Sequence, residues 1–127
     1  MDELLDRITR ATGLEASVAT KAIGIILAFL KKEGPPDAVQ QLLSALPGSD
    51  SALSQAENSG AAQGLAGAVS GMGGGVMALG TQLMGVGVSM GQMQPLGREL
   101  FAFGREKAGE DVMGSIVGSI PGLGQFV

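Results

Sequence analysis

No residue between Glu57 and Arg98 carries a charge, and glycine recurs throughout that stretch. A chain can bury such a segment, leave it as a linker, or place it in lipid. A flexible Gly/Ser linker carries few large apolar residues. Here Leu65, Val69, Met72, Val76, Leu79, Leu83, Val86, Met90 and Met93 recur in alternating steps of 4 and 3, which is the a/d seam of a heptad. Gly60, Gly64, Gly67, Gly71, Gly74 and Ala78 recur in the same steps on the opposite face. The pattern predicts a helical centre over 60–91 packed on both sides. Gly64, Gly67, Gly71 and Gly74 are then the positions where backbones approach closely, as helix-packing or interaction sites.

Energy and length both argue against one unbroken helix. A helical glycine costs about 1 kcal/mol relative to alanine, so the ten glycines from Gly64 to Gly91 oppose it with roughly 10 kcal/mol. An uninterrupted helix over 61–92 would be about 45 Å long, against a diameter of about 36 Å for a compact chain of this size. A break is therefore expected, at Gly73–Gly75 or near Gly85–Gly87. Membrane insertion is the alternative, because Gly60/Gly64 and Gly67/Gly71/Gly75 have the small-xxx-small spacing of helices that associate in bilayers. Against it, glycine dilutes every window, and a single span would separate two halves of the chain that match each other.

Those halves lie on either side of the centre. Asp2–Thr12 reads as a short amphipathic helix with acids first and bases last, punctuated by Gly13. A helix over 15–33 follows, and its middle, "AIGIILAFL", is apolar all round. Nine residues are too few to span a bilayer and suit a buried core helix. Gly34 and Pro35-Pro36 stop it. A third helix starts at Pro36 or Asp37, with the stripe Val39, Leu42, Leu43, Leu46, and ends at Pro47-Gly48. Asp50–Glu57 suggests one more short helix. A shift of 74 positions then lays Gly13–Gly48 on Gly87–Gly122 without a gap. Ala28-Phe29 meets Ala102-Phe103, Asp37 meets Asp111, and Pro47-Gly48 meets Pro121-Gly122. Breakers and apolar stripe stay in register together, which points to a duplicated helical hairpin, 13–48 and 87–122.

The string G-L-x(4)-A-x-x-A-I-x-x-I-L-x-F-L followed by P-x-D-A-V-x-x-L-x-x-A-L-P-G, residues 13–48, resembles the repeat unit of the bacterial "domain of unknown function 2267" family. The resemblance implies a small helical protein built from paired units. It brings no activity to transfer.

The chain offers little for chemistry. With no cysteine and no histidine, it lacks disulfides, thiolate sites, and the commonest base and zinc ligand. A net charge of −4 disfavours nucleic acid, whose affinity rests on phosphate neutralisation. "GMGGGV" fails the dinucleotide fingerprint at Val76, and no phosphate-loop lysine is present. Glu110 and Asp111 read as first-turn acids of a helix, and Glu106 as an ordinary solvated residue. Met90 and Met93 read as core filler rather than as a thioether pair for copper. Residues 37–46 lack the Lys or Arg of a DNA-reading helix. "MDELLDRITR" has no basic region before an apolar run, so a secretory signal is not expected and the cytoplasm is the default.

The expectation is an all-α single domain, two pseudo-repeated hairpins flanking a glycine-rich helical segment, with Phe29 and Phe103 among the helix-packing positions. No catalytic residue, cofactor or metal is expected. The function expected is that of a structural or protein-interaction module, with a protein partner or self-association and no nucleic acid. Insertion of the glycine-rich segment into a membrane and carriage of a small apolar ligand are the alternatives. Apolar stripes on helices 15–33 and 89–108, if exposed, would be the contact surface.

Overall fold

Glycine ends the first helix because the chain must turn there through a left-handed conformation. Gly13 has φ of 77° and, 74 positions on, Gly87 has φ of 111°. Side chains rarely tolerate that region. The computed structural model describes residues 2–46, 48–58, 76–120 and 124, and within them the chain is all-α. The helices are α1 (Asp2–Thr12), α2 (Ala16–Glu33), α3 (Pro36–Ala45), α4 (Ser49–Asn58), α5 (Val76–Gly85), α6 (Met90–Ala108) and α7 (Glu110–Ser119).

The duplication is visible in the positions of the helices. Helices α2 and α3 start at 16 and 36, and α6 and α7 start at 90 and 110. Both starts are thus offset by the same 74 positions. Burial in these helices follows the register, whereas in α1 and α5 the buried residues Leu4 and Ile8 stand 75 positions from the buried Leu79 and Leu83. Ala19 and Met93, Ala22 and Leu96, Ile26 and Leu100, Leu27 and Phe101, Val39 and Met113, Leu42 and Ile116, and Leu46 and Ile120 are all buried pairs. Phe29 and Phe103 also match, at 8% and 2% exposed, so both rings are core packing and neither is a surface contact.

The copies are interleaved rather than stacked. Helix α1 packs more extensively on α6 of the other copy than on its own neighbour α2. Reciprocally, α5 packs on α2, and α3 lies against its counterpart α7. One continuous core results, into which Leu4 and Ile8 of α1 are buried completely. Polar bonds reinforce the crossing. Ser89 N–H donates to Gln92 Oε1 at 3.1 Å at the start of α6, and Gln92 Nε2 donates to the Thr12 carbonyl at 3.0 Å at the end of α1.

The copies differ on one side. Helix α4 packs heavily on α2, and no fourth helix accompanies α6 among the described residues. Burial registers the difference. Gly24 and Ile25 of α2 are buried, whereas their counterparts Arg98 and Glu99 are exposed and half-buried. From Ala22 to Leu30 every residue of α2 is buried except the half-buried Ala28. Neither long helix therefore offers the apolar stripe considered as a contact surface. Helix α2 is covered, and the outward face of α6 carries Gln94, Arg98 and Arg105.

The glycine-rich centre is corrected in one respect. Its heptad seam does not run unbroken to Met93. Helix α5 stops at Gly85, and Val86-Gly87 turn before α6 begins. Leu79, Leu83 and Met93 are buried, but Met90 beyond the turn is 77% exposed. The turn resets the helical phase, so the sequence spacing no longer maps onto one face. Of the two expected break sites, the one near Gly85–Gly87 is present. Gly64, Gly67, Gly71 and Gly74 lie outside the described residues, as does the other break site at Gly73–Gly75.

Glycines elsewhere divide into required and unrequired. A Cβ on Gly34 would sit 2.6 Å from the Leu30 carbonyl oxygen and 2.9 Å from a methyl of Val39. Gly114, inside α7, has nothing within 4 Å of that position. Gly34→Ala should therefore destabilise the protein by about 1–3 kcal/mol through overpacking. Gly114→Ala should stabilise it by roughly 0.5–1 kcal/mol through helix propensity. Urea denaturation of the two variants reads both signs, and two changes of the same sign would contradict the packing described. Phe29→Ala and Phe103→Ala should each cost about 3–5 kcal/mol.

Candidate interaction surface

Helix α3 is the element that most clearly presents side chains to solvent beside concave surface. Its apolar spacing turns Ala38, Val39, Leu42 and Leu46 into the core. The same spacing leaves Asp37, Gln40, Gln41 and Ser44 exposed. A groove of about 680 Å³ runs along one flank, between these residues and Lys107-Ala108 at the end of α6. A second, of about 560 Å³, runs along the other flank and is bounded by Lys31 of α2 and Asp50 of α4, with Val39 and Leu43 on its floor. Gln40 and Ser44 line both. Each groove carries one lysine and one aspartate at its margins, so neither has a strong field of one sign. Carboxamides donate and accept hydrogen bonds, which suits them to backbone and side-chain amides of a polypeptide.

The counterpart face on α7 is bare. In the 74-position register Gln40 becomes Gly114, Gln41 becomes Ser115, and Ser44 becomes Gly118. A Cβ at Gly114 or at Gly118 would meet nothing within 4 Å. Two helices that pack on each other, with matching buried faces, thus differ mainly in what they show to solvent.

A polar clasp lies where α1 packs on α6. The Arg7 guanidinium donates to the Glu106 carboxylate and lies 3.4 Å from Glu99. Its Cζ is 5.6 Å from the centroid of the Phe103 ring, and Lys107 Nζ is 5.4 Å from the same centroid. Glu99 and Glu106 are two helical turns apart on one side of α6, so one arginine from α1 reaches both. Glu106 is solvated, as expected, and has a partner besides. Its side chain is still 60% exposed, but it is paired across 99 positions of sequence. The hydrogen bond from Arg7, and then the charge of Arg7, hold the Glu106 carboxyl below the usual range. The bond to Glu106 likewise raises the Arg7 guanidinium above its already high value.

The remaining candidates settle simply. Glu110 and Asp111 stand in the first turn of α7, and Asp37 in that of α3, where acids suit the helix dipole. Met93 is buried and its sulfur faces Gly80, whereas Met90 is exposed, so the two thioethers occupy different surroundings. Among the described residues, no group of three or more acids could hold a metal ion. The buried polar side chain among the described residues is Ser49, whose hydroxyl donates to the Leu43 carbonyl at 2.9 Å. That bond ties the start of α4 to the end of α3. It carries no chemistry. No single helix among the described residues is long and apolar enough to cross a membrane. Residues Glu3–Thr12 and Ala16–Lys31 reach that length and hydropathy only together, as a pair bent by 107°.

Set against family models, curated proteins and solved structures, the chain matches none.

The clasp makes stability depend on pH with a definite sign. The folded-state pKa of Glu106 lies below its unfolded value. Its contribution is therefore full above the unfolded value and disappears as pH falls through the folded one. Glu106→Gln should be less stable than the parent near pH 7, and the gap should narrow by about pH 3, below the ordinary carboxylate range. Chemical denaturation at the two pH values measures this. A gap of the same size at both would mean the side chain matters through packing alone.

Proposed function

We propose that this chain is a non-enzymatic helical interaction module, which binds a protein partner or a second copy of itself through the outward face of α3. The observation that carries the reading is the pair of open grooves flanking that helix, both lined by Gln40 and Ser44. The duplicate helix α7 replaces those two residues with glycine at Gly114 and Gly118. The buried faces of α3 and α7 match in position while these outward residues differ, and that contrast supports use of the α3 surface. The cytoplasm is the proposed compartment. Membership of the "domain of unknown function 2267" family stays a proposal as well. It is supported by the resemblance over 13–48 and by the arrangement of the helices as two units.

Site-specific photocrosslinking tests this. A benzoylphenylalanine placed at Gln40 samples both grooves. The same probe at Arg98 samples the exposed outer face of α6 as a control. Both are surface replacements and should leave stability within about 0.5 kcal/mol of the parent. Irradiation in an extract of the native host should give a discrete adduct from position 40 and none from position 98. An absence of adducts, or equal adducts from both positions, would count against the reading. Recovery of the protein in a carbonate-resistant membrane pellet would favour the membrane alternative. A small molecule retained in native mass spectra would favour a carrier.

A further inference from the structure

We draw no further inference here: the strongest candidate, the bare outward stripe of α7 at Gly114 and Gly118, where no packing among the described residues calls for glycine, is a run of small residues, and nothing in the structure shows what covers it.

Discussion

A helix that is apolar on every side must be covered on every side. That constraint organises the molecule. The stretch from Ala22 to Leu30 in α2 admits no solvent-facing edge beyond the half-buried Ala28, and α1, α3, α4 and α5 all pack against the helix. Fully burying one large aliphatic side chain stabilises by about 1.5–3 kcal/mol. Removing any covering helix would therefore expose several such residues at once. Helix α6 shows the alternative solution. With no α4 of its own among the described residues, it carries Arg98 where α2 has Gly24, and Glu99 where α2 has Ile25. The two copies keep one backbone plan and differ where their neighbours differ.

Much of this plan was legible locally. Gly13, Pro35-Pro36 and the Pro-Gly pairs mark helix ends through backbone chemistry that acts within a few residues, and the helices stop within a residue or two of those signals. The 74-position register was readable because breakers and apolar stripes are both local patterns. The interleaving of the copies was not. Periodicity records which face of a helix is buried, and it is silent about which helix buries it. Either α2 or α6 could have satisfied Leu4 and Ile8. The Arg7–Glu106 pair was hidden for the same reason, since each residue looks like an ordinary surface charge within its own helix.

The heptad ladder misled in a more specific way. Its steps of 4 and 3 continue through Val86 to Met93, but the backbone turns at Val86-Gly87. A helical period has meaning only while the helix persists. Met90 satisfied the pattern and sits in solvent at the first turn of the next helix. Neither α3 groove could be read from the sequence, because each groove is a gap between helices rather than a motif within one. The outward residues Gln40 and Ser44 gain interest only when compared in register with Gly114 and Gly118.

The crossed arrangement also bears on the order in which the protein acquires its structure. The first helix leaves the ribosome well before α6, yet its main packing surface lies on α6, and its arginine pairs with a glutamate 99 residues later. Contacts so far apart in sequence slow closure. During synthesis, at roughly 5–20 residues per second, α1 must wait several seconds for its seat to appear. Over that interval Leu4, Leu5 and Ile8 remain without their final cover. Short, strongly amphipathic and charged at both ends, α1 is suited to staying soluble through the delay.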